Sequence, residues 1–210
     1  VKELNKNGDI YKGTYEGLYC VDCETYYTEK ELENGKCPIH KKPAEILKEE
    51  SYFIKLSKYQ DFLIDHLINN QDSIWPNKKR KEILNRLKEP LKDLSITRKK
   101  VSWGIPFPLE KNLTLFVWIE ALINYLTTVD YPNKKFKDFW PAVHIIGSDI
   151  VFHHSVIWFP VLKSLGLEMP KVIVHGFINL KGEKLSKARG VTVDPIDLAN
   201  NYGSDALRYY

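Results

Sequence analysis

Apolar residues follow two patterns along the chain: helical spacing before residue 96, and alternating strand-like and helix-like segments after it. Before it, the apolar residues of segment 51–71 keep the spacing of one helix face, which predicts a helix: Phe53, Leu56, Tyr59, Leu63 and Leu67. A second helix is predicted over 75–94, bent or ended by Pro90. A polar link over 40–50 separates these helices from the first forty residues.

From residue 96 onward, strand-like and helix-like segments alternate. Three runs rich in β-formers are predicted as strands: 115–118, 143–147 and 171–180. Helices are predicted after the first two strands, over 119–128 and 150–166, and Gly166 stops the second helix. Strands that alternate with helices predict an α/β fold with a parallel sheet and crossover helices.

Several chemically distinctive side chains fall at or just past the ends of these strands. They are Trp118, Asp149 in the turn Gly147-Ser148-Asp149, His175, and the two lysines of a short loop, Lys184 and Lys187. Ligands of open parallel sheets bind beyond the carboxyl ends of the strands, so we expect a binding site there. On spacing alone the two lysines also fit an ordinary solvated basic turn.

Composition supports a folded domain, and no membrane-spanning segment is expected. The 210 residues are 43% hydrophobic, which allows a core and argues against global disorder. The net charge of +4 is compatible with an anionic partner without proving one. No stretch of 18 apolar residues and no secretory signal is found, so we expect no membrane contact. The chain begins at Val1 and ends in a helix-like pattern, so we expect a fragment.

Three cysteines and a histidine near the start are spaced like a zinc knuckle. Cys20, Cys23, Cys37 and His40 form a C-x2-C-x13-C-x2-H pattern within 21 residues. A gap of two residues lets one tight turn offer two ligands to a metal, and Zn²⁺ takes four such ligands in a tetrahedron. A closed four-ligand site leaves no place for water, so the predicted zinc is structural and stabilises a small subdomain. Unrelated buried thiols beside a surface histidine are the alternative.

These segments together resemble the class I aminoacyl-tRNA synthetases, and within them the methionyl-tRNA synthetase family. GEKLSKARG (182–190) resembles the mobile lysine loop of that class, and residues 20–40 resemble the knuckle of the family's connective insertion. LSITRKKVSWGIPFP, VWIEALINYLT, HIIGSDIVFHHSVIWFPVL and VDPIDLANNYGSDALRYY resemble successive later stretches. The loop departs from the family pattern at Leu185, Ala188 and Val191, but both lysines are present.

The resemblance implies the fold and its division. We expect the second half of a Rossmann-like nucleotide-binding parallel sheet with a small zinc-knuckle insertion. Residues 1–92 would form the connective insertion, 93–182 the second half of the catalytic domain, and 183–210 the lysine loop and the start of a helical segment. The phosphate-binding signature of the family's first half does not occur before Cys20, so the chain alone is expected to be an incomplete site.

The resemblance also implies an activity, that of a methionine–tRNA ligase. Such an enzyme activates L-methionine with ATP and Mg²⁺ to methionyl-adenylate and passes the acyl group to initiator and elongator methionine tRNA. Lys184 and Lys187 would neutralise charge that develops on the β- and γ-phosphates. The ATP site would add Asp149, His175, Gly176 and Ile178.

The methionine pocket is implied residue by residue. The positions that match the family's pocket are Trp118, Ala121, Leu122, Tyr125, Ile150 and His154. A thioether is apolar and polarizable and favours aromatic contact, so the residue types suit the ligand. Each assignment has a plainer alternative: amphipathic core aromatics for the pocket, a helix N-cap for Asp149, and a core histidine for His175. Arg98 is expected to have a structural or tRNA-end role.

Two other functions stay open at this point. Another class I synthetase would share the lysine loop, although WIEALINY and the single knuckle argue against it. A non-catalytic fragment that binds tRNA or a protein partner would keep the fold and the zinc. A basic run, Lys78 to Lys81, fits either a solvated helix end or phosphate contact. A reducing cytoplasm suits a cysteine zinc site, and an organellar copy is the alternative.

Overall fold

A computed structural model of the chain describes most of its residues. The described residues are 1–20, 25–27, 29, 32–38, 41–99, 101, 103–177, 179–180, 183–184 and 193–209.

The described residues form two long strands, several short strands and a series of helices. The strands are β1 Ile10–Cys20, β2 Thr25–Tyr27, β3 Glu45–Ile54, β4 Ile74–Trp75, β5 Leu94–Ser95, β6 Thr97–Arg98, β7 Thr114–Leu115, β8 Val143–Gly147, β9 Lys171–His175, β10 Asn179–Leu180 and β11 Glu183–Lys184. The helices are α1 Lys2–Lys6, α2 Gln60–Asn69, α3 Asn77–Arg86, α4 Val117–Thr128, α5 Lys134–Phe139, α6 Trp158–Ser164, α7 Pro195–Tyr202 and α8 Ser204–Tyr209. A 3₁₀ turn, Ser57–Tyr59, precedes α2, and a π-helical turn, His153–Ile157, leads into α6.

The first sheet is antiparallel, with the strand order β2-β1-β3-β5. Its central pair is long: β1 and β3 are in register from Ile10 opposite Ile54 to Tyr19 opposite Glu45. Ile10 and Ile54, at one end of this pair, belong to the main buried cluster, whereas Cys20, at the other end, is buried outside that cluster. The short strand β5 pairs with Phe53 and Ile54 at the first end.

The predicted helix over 51–71 is wrong in its first part. Residues 51–54 belong to β3, and the α-helix begins only at Gln60. Leu56 and Leu63 belong to the main buried cluster, whereas Phe53 is buried on β3 against Tyr11 and Tyr15. Helical spacing over this short window therefore joined residues of a strand and a helix that are buried in different places. The second predicted helix, α3, ends before Pro90.

The second sheet is parallel, as predicted, with the strand order β4-β9-β8. β8 coincides with the predicted strand, and β9 covers the first five residues of the predicted third strand. The prediction of a parallel strand over 115–118 is wrong: β7 ends at Leu115 and pairs antiparallel with β6 in a separate sheet, and Trp118 lies in α4. Branched residues that pair on both sides of β9 favour this parallel arrangement.

The two faces of the parallel sheet differ in exposure. One face packs against the helical segment after β8, where Trp158 and Phe159 are fully buried. The other face carries Trp75, Val143 and Ile145, whose exposed fractions are 58%, 54% and 70%. No helix in the part of the chain that the structure describes is long and apolar enough to cross a membrane.

A buried carboxylate joins the start of the chain to the end of α6. Asp9 is 0% exposed and accepts hydrogen bonds from Lys58 Nζ at 2.5 Å, from Tyr59 Oη at 2.7 Å and from Ser164 Oγ. Burial alone would raise the pKa of this carboxyl, but the bonds from Lys58, Ser164 and Tyr59 outweigh it and lower the pKa. Asp9 is therefore ionised at neutral pH and holds three elements together.

Replacing Asp9 with alanine should lower the free energy of unfolding by about 2–4 kcal/mol, because buried donors lose their acceptor. Urea denaturation at pH 7 measures this change. The matched control is Glu3→Ala in the same terminal segment, whose ion pair with Lys6 spans 4.0 Å between largely exposed side chains. We expect the control to change stability by less than about 0.5 kcal/mol. Equal effects of the two substitutions would contradict the assigned role of Asp9.

Candidate functional site

The candidate site lies at the carboxyl edge of the parallel sheet. Gly147 ends β8 directly opposite His175, which ends β9. A side chain at position 147 would meet Asp149 Oδ1 at 2.9 Å and His175 Cε1 at 3.9 Å. Glycine at this position therefore leaves room for the Asp149 carboxylate, whereas the His175 ring would be only in van der Waals contact. The structure places Asp149, His175 and Gly176 at one edge, as the sequence predicted for strand ends.

Helix α4 presents a row of the predicted pocket residues beside this edge. Trp118, Leu122 and Tyr125 lie four and three residues apart, which puts them on one helix face. Leu122 is 1% exposed and belongs to the core, whereas Ala121 is exposed. Trp118 and Tyr125 are half-buried and face the helical segment that follows β8.

The π-helical turn provides the opposite side of the pocket. The ring of His153 stacks on Trp118, with centroids 3.7 Å apart and planes 18° apart. His154, one residue on, points elsewhere: its ring meets Tyr125 edge-on at 5.7 Å. The two adjacent histidines therefore differ in their closest aromatic partner on α4, and the ring of His154 also lies edge-on to Trp118 at 6.4 Å.

Hydrogen bonds fix the tautomer of His154. Its Nδ1 lies 3.0 Å from the Ile150 carbonyl oxygen, which only accepts, so Nδ1 carries the hydrogen. Its Nε2 is then an acceptor and takes the hydroxyl hydrogen of Tyr125 at 2.9 Å. Ile150, Tyr125 and His154, three of the predicted pocket residues, are thus joined in one chain of contacts.

A third histidine, His144, which the sequence analysis did not single out, lies behind Tyr125 and His154. His144 on β8 accepts a hydrogen bond at Nε2 from Trp158 Nε1, at 3.1 Å. Its ring stacks on Tyr125, with centroids 3.9 Å apart and planes 23° apart. His144 and Trp158 are 3% and 0% exposed. The sequence signal was a histidine inside an otherwise apolar strand, VHIIG.

The histidines of this cluster are neutral at pH 7. Burial, with a smaller effect of His154, lowers the pKa of His144 to about 4. Burial also lowers the pKa of His154, although the hydrogen bond to the Ile150 carbonyl acts in the opposite direction. The pKa of His153 is lowered by burial and, to a smaller extent, by electrostatic repulsion from His154. Burial raises the pKa of the Tyr125 hydroxyl. The cluster is therefore an uncharged aromatic surface suited to an apolar or polarizable ligand.

Several predicted site residues cannot be placed. Cys23, His40, Ile178 and Lys187 lie outside the described residues. Lys184 lies in β11, opposite Asn179 of β10.

The described part of the predicted knuckle is a compact turn. Cys20 and Cys37 are 1% and 0% exposed. Around Cys37, its amide donates to the Lys42 carbonyl at 2.9 Å and the Lys41 amide donates to the Cys37 carbonyl at 2.8 Å. Within the described residues, no group of three or more histidine, cysteine or acidic side chains lies close enough to hold a metal.

Two basic residues have contacts that the sequence did not indicate. Arg80, part of the predicted basic run, is 7% exposed and donates to the Leu67 carbonyl and to Asn77 Oδ1, so it joins α2 to α3 instead of facing solvent. The guanidinium of Arg98 lies 4.2 Å from the ring centroid of Phe116 and donates to the Thr97 carbonyl. Arg98 thus packs just before α4.

Comparisons with known proteins agree with this arrangement. The family model of class I tRNA synthetases (M) matches residues 1–44 and 28–210. This chain, with its α/β fold and parallel sheet, belongs to the class I tRNA synthetases. More narrowly, it is a member of their methionyl-tRNA synthetase family.

The individual relatives cover nearly all of this chain. It is 46% identical over 215 residues to the methionine–tRNA ligase of Clostridium perfringens and 44% identical over 213 residues to the chloroplastic/mitochondrial one of Arabidopsis thaliana. These matches cover 100% and 97% of the chain but 33% and 35% of the relatives. The chain therefore spans about a third of the length of these curated relatives.

Solved structures give the same result. Methionyl-tRNA synthetase of Mycobacterium tuberculosis bound by methionyl-adenylate superposes with a TM-score of 0.85 at 35% identity. The match covers 99% of this chain and 43% of that one. An unliganded form of the same enzyme gives a TM-score of 0.83. The described fold is therefore that of the corresponding part of these enzymes.

The neutral state of His144 makes stability depend on pH in a defined window. Between a pKa of about 4 in the folded protein and 6.5 in the unfolded chain, only the unfolded chain binds the proton. Stability should therefore fall as pH drops through this window, by about 2 kcal/mol from pH 7.5 to pH 5 for this group alone. Urea denaturation at both pH values measures the loss.

A His144→Phe variant is the comparison, since it lacks this titrating group. Its loss between pH 7.5 and pH 5 should be smaller than the wild-type loss by about 2 kcal/mol. An identical pH dependence in the two proteins would show that His144 is not held neutral by the fold.

Proposed function

We propose that the chain is part of a methionine–tRNA ligase, which activates L-methionine with ATP and transfers it to tRNA. The observation that carries the proposal is the uncharged aromatic cluster of Trp118, Tyr125 and His154 beside the carboxyl edge of the parallel sheet. The same fold at 35% identity belongs to an enzyme that binds methionyl-adenylate.

The cluster suits the side chain of methionine. A thioether makes favourable contacts with aromatic rings and offers no strong hydrogen-bonding group. Trp118 and Tyr125 supply the ring faces, and Ile150 and His154 the adjacent wall; Ala121 and Leu122 complete the set by resemblance. Because both hydrogen-bonding positions of His154 are already occupied, this wall presents little unsatisfied polarity. Discrimination against apolar near-isosteres should then be modest, about 1–3 kcal/mol.

The ATP site is proposed at the adjoining strand ends. Asp149 and His175 flank Gly147, and the exposed backbone after His175, from Gly176 to Ile178, would lie against the adenine. Lys184 and Lys187 would meet the β- and γ-phosphates. A loop that closes over bound ATP lets its cations act more strongly in the transition state than in the ground state.

The proposed reaction has two balanced steps. In the first, a methionine carboxylate oxygen bonds to the α-phosphorus of ATP, and the bond to the β-phosphate oxygen breaks to release pyrophosphate. In the second, a terminal ribose hydroxyl of tRNA attacks the carbonyl carbon, and AMP leaves. Catalysis in the first step depends on positioning and on neutralising charge. Mg²⁺ would accompany ATP, and both initiator and elongator methionine tRNA would be substrates.

The exposed sheet face is relevant to this activity. Parallel sheets are covered on both faces, and Trp75, Val143 and Ile145 leave one face open. The relatives are about three times as long as this chain. We therefore assign the cover of this face, and the first-half phosphate-binding signature, to the rest of a longer protein.

The domain division follows the resemblance: connective insertion 1–92, catalytic half 93–182, and lysine loop with helical segment 183–210. The first two pieces share a sheet, because β4 pairs with β9.

We also propose a structural zinc ion bound by Cys20, Cys23, Cys37 and His40. The two described cysteines fit this role: both are buried, and the turn around Cys37 consists mostly of exposed polar residues, which leave little core of its own. The zinc would stabilise this subdomain and take no part in the reaction. Cysteine ligands suit a reducing compartment, so we propose the cytoplasm, with an organelle as the alternative that the plant relative illustrates.

The activity is tested by ATP–pyrophosphate exchange on the full-length protein, with each of the twenty amino acids in turn. Exchange should depend on methionine. Lys187→Ala should lower its rate by about 10²-fold or more, because charge in the transition state loses a partner. Lys171→Ala is the matched control, since Lys171 is exposed at the amino end of β9, away from the site. Its rate should stay within about twofold of wild type.

Exchange with a different amino acid would overturn the pocket assignment. No exchange with any amino acid would favour a non-catalytic tRNA- or protein-binding module. Unchanged exchange in the Lys187 variant would remove the loop from the proposed mechanism.

The zinc proposal is tested by elemental analysis of metal-replete protein, which should contain one zinc per chain. Cys37→Ser should abolish stoichiometric zinc and lower the thermal midpoint. Glu33→Gln in the same turn is the control and should retain zinc, because an exposed carboxylate that pairs with Lys41 is not a ligand in this proposal. Wild-type protein without zinc would refute the site.

A further inference from the structure

His144 is an unusual residue for its place in the parallel sheet. It lies in one row with Ile74 and Val172 on the buried face, where its neighbours are fully apolar. An apolar side chain would fill this position at lower cost, because a buried imidazole needs hydrogen-bond partners. His144 has one in Trp158, whose indole N–H is buried and needs an acceptor.

The second contact of His144 leads to the candidate pocket. Its ring lies flat against Tyr125 at 3.9 Å, and the Tyr125 hydroxyl reaches His154 from the other end of the same ring. Tyr125 is thus fixed at two points, its face by His144 and its tip by His154. The ring of His144 also lies edge-on to His154, with centroids 6.0 Å apart, but its closest ring contact is the stacked one with Tyr125.

We propose that His144 is a positioning residue for methionine binding, holding the Tyr125 ring at the angle that forms the pocket wall. This inference rests on the proposed function. The two contacts of His144 have separable consequences. The flat ring orients Tyr125 and so governs affinity for methionine, whereas the acceptor nitrogen satisfies Trp158 and so governs stability.

Two substitutions separate these contributions. His144→Phe keeps a flat ring against Tyr125 but leaves the Trp158 N–H without its acceptor. His144→Gln keeps an acceptor near the position of Nε2 but removes the ring. Ile146→Val, on the same strand and equally buried at 3%, is the control for a general effect on the core.

The experiment measures KM for methionine and KM for ATP separately, by pyrophosphate exchange on the full-length protein, with active-site titration to correct for inactive molecules. His144→Gln should raise KM for methionine about 3- to 10-fold, the range expected for a lost aromatic stacking contact. KM for ATP should stay within about twofold. His144→Phe should lower the thermal midpoint yet keep KM for methionine within about twofold, as should Ile146→Val.

A double substitution tests whether the effect passes through Tyr125. In a Tyr125→Leu background, His144→Gln should change KM for methionine less than twofold, because the ring it orients is gone. Additive effects of the two substitutions would overturn the inference. So would equal changes in both KM values, or an unchanged methionine KM in His144→Gln.

The inference and the proposed function fail in different ways. Wild-type protein without methionine-dependent exchange would overturn the proposed function, and this inference with it. Wild-type exchange with no selective effect at position 144 would overturn only the inference. If His144→Gln does not fold, His144→Asn makes the same comparison with a smaller side chain that also lacks the ring.

Discussion

The parallel pairing of β9 with both β4 and β8 is the constraint on which the candidate site depends. Parallel neighbours run in one direction, so their carboxyl ends meet at one edge, and here that edge joins Gly147 to His175. The same register sets Ile74, Val172 and His144 in one buried row. A shift of one residue would turn His144 to the open face and separate it from Trp158. The pocket therefore follows from strand register as much as from the residues that line it.

The buried histidines illustrate how polarity is managed inside an apolar site. His154 hydrogen-bonds to Tyr125 and to the Ile150 carbonyl through its two ring nitrogens, and His144 accepts from Trp158 at Nε2. Burial keeps both rings neutral. His153 is different, because its Nδ1 is buried and has no hydrogen-bond partner among the residues that the structure describes. That atom lies in the ring stacked on Trp118. A pocket of neutral rings can select by shape and polarizability, which are the properties that distinguish a thioether.

The sequence predicted elements that depend on a local run of residues, and it missed features that depend on contacts between distant elements. β8 was predicted residue for residue because VHIIG, with three branched apolar residues, stands between clear turn signals. The segment 51–71 was mispredicted because Phe53 on β3 and Leu63 on α2 are both buried at helical spacing, although they lie in different parts of the interior. The cluster of His144, Tyr125 and Trp158 was beyond prediction from spacing, since its members lie on three elements up to 33 residues apart. Arg80 was predicted to be part of a solvated or phosphate-binding run, because a run of basic residues does not show which side chain points into the protein.

The open face of the parallel sheet indicates that amino acid recognition and phosphate binding would depend on different parts of the protein. Trp75 and Ile145 stand on the face opposite His144, in rows that continue through Ile173. Covering that face therefore leaves the buried row and the aromatic cluster unchanged, because the two sides of a strand alternate. The aromatic cluster of the proposed side-chain pocket is supported from inside the described fold by the hydrogen bond between Trp158 and His144. Phosphate binding, by contrast, would draw on the lysine loop and on chain outside these 210 residues. Recognition of the amino acid side chain and handling of the phosphates would then be built on separable parts of one sheet, with the strand edge at Gly147 as their meeting point.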